Sequence, residues 1–337
     1  MAVPSTPPRQ NTFPVSDWSV LAAHWHPIAI AGEVNSQPIA ARLLDQDLVI
    51  YRTSQGVTVA ADVCAHRGAP LSMGRLKNDT LVCAYHGYCY DGTGRCTAIP
   101  AHPDSPIPGK LQLHVFPSVE RHGLIWTSFD HEPRTAIPEF PEYADPAFQK
   151  ILVPPLDWAA SAGRQLESFC DVAHFAFVHE KTFAVRDPVV PRYEARATPT
   201  GVFAEFISHA GNVSDPNAAA QTWRRVYNIH LPFTAHLVIH FPTGGKLAML
   251  NASCPVSARR TRVFPVVARD FDHDQPVADL IAFQQQIYAE DQAIVERQNP
   301  EDLPIDLTEE VHVRADLTSI TYRRQLAALG LGRGFTS

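Results

Sequence analysis

No run of apolar residues in the 337-residue chain is long enough to cross a membrane. The longest candidate, residues 20–30, is too short for a bilayer and is interrupted by His24 and His26. Residues 1–16 contain four prolines and lack the apolar core of a secretion signal. The sequence therefore predicts a cytoplasmic protein that has no membrane partner.

An excess of positive charge and a nucleotide-binding glycine pattern are also lacking. The formal net charge of −7 argues against a nucleic-acid partner, because surfaces that bind phosphate backbones are basic. No G-x-G-x-x-G fingerprint for a dinucleotide occurs in the chain. If the protein uses electrons from NADH or NADPH, they must therefore reach it through another protein.

Cysteine is scarce, with six in the chain, and two of the six stand beside histidines. Cys64 and His66 form one pair, Cys83 and His86 form the other, and sixteen residues separate the two pairs. Two thiolates and two imidazoles suit a [2Fe–2S] cluster of Rieske type, in which two Cys hold one iron and two His hold the other. A structural zinc site is the alternative, but zinc sites usually group a Cys pair before a His pair.

The residues around these pairs resemble a known family. CAHRGAPLSMG begins at Cys64, CAYHGYCYDGTGRCTAIP begins at Cys83, and FPSVERHGLIWTSF begins at Phe116. These segments resemble the Rieske region of the Rieske non-haem iron oxygenases, with Tyr88 where the family more often has Trp. The resemblance implies an oxygenase component that uses O2 and takes electrons from an NAD(P)H-dependent reductase, directly or through a ferredoxin.

A second group of metal-ligating residue types follows on a predicted helix. Asp171 and His174 are spaced to share one helical face with Glu167, whereas His179 can join them only if the helix ends or bends before it. Two imidazoles and one carboxylate form the facial triad that holds mononuclear Fe(II) in non-haem oxygenases. Histidines packed in a core for structural reasons are the alternative.

The run SFCDVAHFAFVH, which begins at Ser168, resembles the mononuclear-iron motif of the same family, although the family often has Asn in place of this Ser. The resemblance implies that His174 and His179 bind the iron. It assigns Asp171 to a hydrogen-bonded bridge between His174 and the cluster ligand His86 of a neighbouring chain. Because electrons pass between neighbours in this family, a homotrimer or a pair of stacked trimers is expected.

The carboxylate ligand is predicted on a late helix over residues 277–298. Asp291 falls within an apolar stripe at helical spacing, which consists of Leu280, Phe283, Ile287 and Ile294. A carboxylate in such a stripe is costly unless it binds a metal or is paired, and a buried ion pair with an arginine is the alternative. The run AEDQAIVERQ resembles the family's distal-ligand helix, which favours Asp291 as the third ligand. Glu290 and Glu296 lie off the stripe and are predicted to be solvated charges.

Five further residues on predicted strands receive no role: His230, His236, His240, Arg224 and Arg225. Both His236 and His240 face the same side of their strand, where they could line a substrate pocket. Packing is nevertheless the expectation for the three histidines. Solvent exposure is the expectation for the two arginines, and contact with a carboxylate substrate is their alternative.

The predicted fold class is α+β. An all-β Rieske domain occupies residues 1–130, with its core at about 35–130, and includes strands at 39–51 and 57–63 joined by a turn at 53–56. A proline-rich passage precedes a catalytic domain over residues 131–337, in which an antiparallel sheet packs with helices in a helix-grip-like arrangement. Its strands are predicted within 191–268 and its helices at 161–178, 277–298 and 320–329.

The resemblance favours the branch of monooxygenases and demethylases that act on aromatic or heterocyclic small molecules. An aromatic-ring cis-dihydroxylating dioxygenase is one alternative. A Rieske electron carrier without oxygenase chemistry is the other, and it differs in predicting that substitution of Asp291 leaves the metal content unchanged.

Overall fold

The structure, a computed structural model, describes residues 7–183, 187–210, 221–242 and 244–332. The chain divides into two units, of which the first ends at Ile137 and the second begins at Pro138, within the proline-rich passage. Among the described residues, no helix combines the length and the apolar composition that a membrane crossing requires.

Nearly all regular secondary structure in the described part of the first unit is antiparallel β-strand. In its described part, one helix precedes eleven short strands: α1 (Val15–Ala22), β1 (His26–Ile30), β2 (Ile39–Leu43), β3 (Gln46–Thr53), β4 (Gly56–Ala61), β5 (Arg75–Lys77), β6 (Thr80–Val82), β7 (Cys89–Tyr90), β8 (Cys96–Ala98), β9 (Val115–Phe116), β10 (Ser118–Arg121) and β11 (Leu124–Thr127). They form three sheets, with strand orders β1-β11-β10, β2-β3-β4-β9 and β5-β6-β7-β8. The prediction of an all-β first domain is confirmed.

The single strand predicted at 39–51 is wrong, because two strands occupy this range. β2 and β3 pair with each other through a turn at Leu44 and Asp45, whose φ angles are +49° and +64°. Such left-handed pairs match the twist of a two-residue hairpin. The buried Asp45 carboxylate accepts hydrogen bonds from the backbone N–H and the hydroxyl of Thr12, each at 2.7 Å. This distant partner is invisible in the local pattern, which continues to alternate through the turn.

The second unit is an eight-stranded antiparallel sheet with helices. Its elements are α2 (Pro141–Ala144), β12 (Gln149–Leu152), β13 (Leu156–Trp158), α3 (Ala162–Cys170), α4 (Phe175–Val178), α5 (Glu180–Phe183), β14 (Glu194–Thr198), β15 (Gly201–Ala210), β16 (Gln221–His230), β17 (Thr234–His240), β18 (Lys246–Ser257), β19 (Arg260–Arg269), α6 (Val277–Val295) and α7 (Leu317–Leu329). The strand order is β12-β19-β18-β17-β16-β15-β14, and β13 also pairs with β19. The prediction of an antiparallel sheet packed with helices is confirmed.

The centre of this sheet is covered on both faces. Every residue of β18 from Leu247 to Pro255 is buried, whereas a strand with one face in water would alternate. Helix α3 packs on β18, and α6 packs against α3. Trp158 and Tyr288 meet edge to face in this core, with ring centroids 6.5 Å apart. Helix α6, which carries Asp291, and helix α3, which ends four residues before His174, are therefore anchored on a packed core.

The single helix predicted at 161–178 is wrong, because two separate helices, α3 and α4, occupy this range. Ser161 caps α3 by accepting a hydrogen bond from the N–H of Arg164 at 3.2 Å, and α3 ends at Cys170. The carboxylate of Asp171 then accepts a hydrogen bond from the N–H of His174 at 3.0 Å. This bond competes with continuation of the helix and favours a break. The prediction that Glu167, Asp171 and His174 share one face of a continuous helix is therefore wrong.

The buried stripe of α6 also differs from the predicted one. Its buried residues are Gln284, Tyr288, Asp291 and Val295, at spacings of four, three and four. Of the predicted stripe, Phe283 is 41% exposed and Ile294 is 55% exposed. Asp291 belongs to both stripes, so its predicted burial holds although the face was misjudged by one position. Helix α6 ends at Val295, and α7 begins at Leu317, each three residues before the predicted position.

Candidate functional site

The two loops that carry the Cys–His pairs have the same backbone form. In the first, the N–H of Gly68 donates to the carbonyl of Cys64 at 2.9 Å, and in the second the N–H of Gly87 donates to the carbonyl of Cys83 at 3.0 Å. Both glycines have a φ of +73°, in the left-handed region that favours glycine. The loops are thus matched turns, although one histidine lies two residues and the other three residues after its cysteine.

The four donors of these loops fit a Rieske cluster. Cys64 and Cys83 are buried in the apolar core of the first unit, and both thiols are free. The rings of His66 and His86 lie 4.7 Å apart, and the buried Nδ1 of His66 has no hydrogen-bond partner among the described residues. The hydroxyl of Tyr90 lies 3.2 Å from the Cys64 sulfur. Two thiols and two imidazoles converge here, which is the donor set that a Rieske cluster requires.

In the second unit, His174, His179 and Asp291 present their donor atoms within 4.8 Å of one another. The Oδ1 of Asp291 lies 3.1 Å from Nε2 of His179 and 3.4 Å from Nε2 of His174. The Nε2 of His174 is buried without a hydrogen-bond partner among the described residues. Two imidazoles and a carboxylate with an open side fit a facial triad for Fe(II).

Breaks in the helices bring these three residues together. His174 lies directly before the single-turn helix α4 and His179 directly after it, with backbone angles of φ −106° and ψ 25°. The five-residue spacing would separate the two rings by roughly 140° on a continuous helix. Asp291 reaches the same point from the buried face of α6. The predicted need for an interruption before His179 is met by the breaks on both sides of α4.

Each histidine is held at its other ring nitrogen by a carboxylate. Nδ1 of His174 lies 2.6 Å from Oδ2 of Asp171, and Nδ1 of His179 lies 2.7 Å from Oε2 of Glu290. Burial alone would raise the pKa of Asp171, but the hydrogen bond and charge of His174 outweigh it and lower that pKa. Burial would lower the pKa of His179, but Asp291 and Glu290 outweigh it and raise that pKa. These pairs fix the ring orientations that a metal site needs.

Glu290 is a further residue of the candidate site, and its contact with His179 was not predicted from the sequence. Its predicted role as a solvated charge is wrong, because it accepts the His179 contact and also hydrogen bonds from Thr182 and Gln286. The spacing of residues along the helix could not indicate this contact. The chemistry could, because a metal-binding histidine nearly always has an acceptor for its second nitrogen. Glu290 stands next to the predicted ligand Asp291 in the chain.

An apolar cavity of about 340 Å³ borders the three donors. Aromatic side chains form much of its wall: Phe169, Phe175, Phe183, Trp223, Phe241 and Phe271. Gln284 contributes a polar group to this wall, and it is 1% exposed. Its Oε1 is buried without a hydrogen-bond partner among the described residues. A buried amide oxygen in such a cavity is costly unless a ligand or water satisfies it.

A second, polar cavity of about 380 Å³ lies against the same donors. His174 and Asp291 line both cavities, and Asp171 lines the polar one. Buried arginines frame the polar cavity, and Glu310 accepts hydrogen bonds from Arg164 at 2.7 Å and from Arg323 at 2.6 Å. The metal donors therefore separate an apolar space suited to an organic molecule from a polar space that contains Asp171.

The two arginines without an assigned role differ from each other. Arg224 is exposed, as expected, and pairs with Glu205 at 2.8 Å. The expectation that Arg225 is exposed is wrong, because it lies in the cavity wall, where its guanidinium is 5.1 Å from the ring centroids of Phe175 and Trp223. Burial lowers the pKa of Arg225 to about 10. Aromatic faces stabilise a cation in such a setting.

The three histidines of the sheet lie away from the apolar cavity, and none is among its described lining residues. His236 is buried, with Nε2 3.0 Å from Oε2 of Glu142. Burial lowers the pKa of His230 to about 4, so this side chain is neutral near pH 7. His240 contacts Arg224 at 3.3 Å. Their expected packing role agrees with these contacts.

Comparison with known proteins identifies relatives of both units. The family model described as the Rieske [2Fe-2S] domain matches residues 24–117, and the model described as the vanillate O-demethylase oxygenase C-terminal domain matches residues 158–331. Methylxanthine N1-demethylase NdmA of Pseudomonas putida is 35% identical over 317 residues, which cover 90% of this chain and 88% of NdmA. Methylxanthine N3-demethylase NdmB of the same organism is 30% identical over 333 residues, which cover 94% of this chain and 92% of NdmB.

The similarity extends to solved structures. The structure of NdmA from Pseudomonas putida CBB5 with caffeine aligns with a TM-score of 0.84 at 33% identity, covering 93% of this chain and 92% of that chain. A structure of dicamba monooxygenase bound to dicamba aligns with a TM-score of 0.79 at 22% identity, which is evidence for the shared fold alone. Both units are therefore similar to these relatives in sequence or in fold.

Proposed function

The chain belongs to the Rieske non-haem iron oxygenases, in their demethylase branch, and from this premise we propose that it removes a methyl group from nitrogen or oxygen of a planar heteroaromatic compound. It is the oxygenase component of a multicomponent system that uses O2 and electrons from a reductase. Its cofactors are a [2Fe–2S] Rieske cluster and mononuclear iron. The observation that carries the substrate class is the aromatic-walled cavity of about 340 Å³ against the metal donors.

The residues that hold the cofactors are part of this proposal. Cys64, His66, Cys83 and His86 hold the cluster, and His174, His179 and Asp291 hold the iron. When bound, the cluster would supply single electrons and a ferrous ion would supply activation of dioxygen at its open positions. The overall reaction converts a methyl group, O2, two electrons and two protons into formaldehyde, water and the demethylated N–H or O–H group.

The side chains of the second unit divide this work. Asp171 and Glu290 hold the rings of His174 and His179 so that both Nε2 atoms face Asp291. The aromatic wall makes the space beside these donors apolar, and a bound substrate that fills it would displace water and so limit side reactions. We assign the Gln284 amide to a hydrogen bond with a polar edge of the substrate, which places one methyl group toward the donors.

Replacing Gln284 with leucine is expected to weaken substrate binding about 10-fold, since one hydrogen bond is worth about 1–1.5 kcal/mol and about 1.4 kcal/mol corresponds to a factor of ten. Two steady-state quantities measure the effect. The KM should rise and the ratio of product formed to NADH consumed should fall, while the iron content stays constant. Gln285→Leu is the matched control, because Gln285 is next to Gln284 on α6 but is not among the residues that line the cavity. Equal KM values for both variants would remove Gln284 from the substrate site.

The proposed function is tested by a substrate screen with a reductase. N-methyl heterocycles, aromatic methyl ethers and aromatic acids are assayed for NADH consumption, and formaldehyde is quantified because uncoupled turnover also consumes NADH. The proposal expects formaldehyde in amounts equal to the demethylated product from at least one N-methyl or O-methyl compound. Products that retain the methyl group and carry two atoms from labelled O2 would instead identify a dihydroxylating dioxygenase.

We also propose that the protein works in the cytoplasm as a homotrimer or as stacked trimers, in which Asp171 of one chain meets His86 of a neighbour. Exposed apolar side chains at the cluster loops and at the polar cavity support this assembly. Met73 and Tyr85 are 72% and 66% exposed in or beside the cluster loops, and Val311 at the polar cavity is 93% exposed. Light scattering should give a mass of three or six chains, and replacing Val311 with aspartate should lower it. A monomer with full activity would contradict the proposal.

A further inference from the structure

His179 is the more deeply buried of the two histidines at the metal site, with a side chain 1% exposed compared with 17% for His174. If its Nε2 binds a metal, its Nδ1 must carry the ring proton and needs an acceptor. Glu290 supplies one, because its Oε2 lies 2.7 Å from this Nδ1. A charged acceptor makes such a bond shorter and stronger than a neutral acceptor would.

Glu290 is itself fixed by two further side chains. The hydroxyl of Thr182 donates to Oε1 at 2.6 Å and lies 2.8 Å from Oε2, and the amide of Gln286 donates to Oε1 at 3.0 Å. Thr182 belongs to α5, and Glu290 and Gln286 belong to α6. The carboxylate therefore joins these two helices at the point where His179 contacts it.

This junction also reaches the wall of the apolar cavity. Thr182 and Phe183 of α5 both line that cavity, and the ring centroid of Phe183 lies 4.5 Å from that of His179. Glu290 itself lines neither the apolar nor the polar cavity among the described residues, so it contacts the site only through other side chains. Its place in the structure is that of a positioning residue rather than of a group that touches substrate.

We propose that Glu290 is the positioning residue for His179, and that it holds this histidine in register with the cavity wall through Thr182. The inference rests on the proposed iron site. It pairs Glu290 with Asp171, so that each histidine has its own carboxylate, one beside the polar cavity and one at the junction of α5 and α6. Loss of such a partner typically weakens metal affinity 10- to 100-fold.

The test measures metal binding rather than turnover. Cluster-containing protein is freed of mononuclear iron by a chelator and titrated anaerobically with Fe(II), and a parallel sample takes Co(II) for its visible ligand-field spectrum. Glu290→Leu should raise the Fe(II) dissociation constant about 10- to 100-fold and shift the Co(II) bands. Glu290→Gln keeps an acceptor oxygen without the charge and should give a smaller increase. Thr182→Val should shift the Co(II) bands in the same direction.

Two controls separate the possible failures. Glu296→Gln changes an acid directly after α6, which accepts a hydrogen bond from the Ala159 N–H and has no described contact with either histidine, and it should leave affinity and spectrum unchanged. Asp291→Asn should abolish tight binding. If Glu290→Leu binds Fe(II) within about twofold of the unaltered protein while Asp291→Asn does not, the role of Glu290 is refuted and the iron site stands. If Asp291→Asn also binds tightly, the proposed iron site itself is wrong.

Discussion

Replacing Asp291 with asparagine is expected to lower the iron content from about three to about two atoms per chain, because a Rieske cluster holds two irons and the mononuclear site one. Asp291 contributes the carboxylate of the donor group, with Oδ1 3.1 Å from His179 and 3.4 Å from His174. An amide is a poorer ligand for ferrous iron than a carboxylate. Activity should fall more than about 100-fold, because loss of an outer-shell partner alone costs 10- to 100-fold.

Iron analysis and the visible spectrum check this expectation together. The cluster absorbance should stay intact, because Asp291 lies in the second unit and the cluster loops lie in the first. Asp274→Asn is the control, since it removes an exposed carboxylate just before the same helix. An Asp291→Asn protein that keeps its full iron content would favour the electron-carrier alternative over the oxygenase.

Replacing Asp171 with asparagine is expected to separate electron supply from chemistry. Its carboxylate accepts from the backbone N–H and lies 2.6 Å from Nδ1 of His174, and it lines the polar cavity. Asparagine keeps one acceptor oxygen but loses the charge that stabilises the ring proton of His174. The turnover rate should fall about 10- to 100-fold, with cluster and iron content close to normal.

Stopped-flow spectroscopy measures this effect on the cluster directly. Protein with a reduced cluster is mixed with O2 and substrate, and the absorbance reports re-oxidation of the cluster. The Asp171→Asn variant should re-oxidise more slowly than the unaltered protein by the same factor as its turnover falls. Re-oxidation at the normal rate with turnover still impaired would place Asp171 outside the path between the two centres.

Much of the candidate site could be predicted from short segments of the sequence. The Cys–His pairs are complete within 23 residues from Cys64 to His86, and their glycines mark the turns that bring the donors together. The family prediction drawn from these segments is confirmed by the matches to both units. Asp291 could be selected because a carboxylate on a buried helix face needs a partner, even though the predicted face of α6 was displaced by one position.

The features that could not be predicted from the sequence depend mainly on contacts between residues far apart in the chain. Glu290 meets His179 across 111 residues, and Asp45 meets Thr12 across 33, so neither partner is visible in a local pattern. Arg225 shares one face of β16 with Trp223, but only the packing of Phe175 from α4 shows that this face is enclosed. The break after Cys170 follows from a side-chain hydrogen bond of Asp171, which competes with helix continuation.

The proposed function requires that electrons from the cluster are used to oxidise a methyl group at the site formed by His174, His179 and Asp291. A single-turnover reaction tests it most directly, with the cluster reduced, the reductant and reductase removed, and O2 added with the substrate found in the screen. Formaldehyde and demethylated product should form in equal amounts, and re-oxidation of the cluster should depend on the presence of substrate. Two results together would contradict the proposed function. The cluster would be re-oxidised at the same rate with and without substrate, and no methylated compound that stimulates NADH consumption would yield formaldehyde.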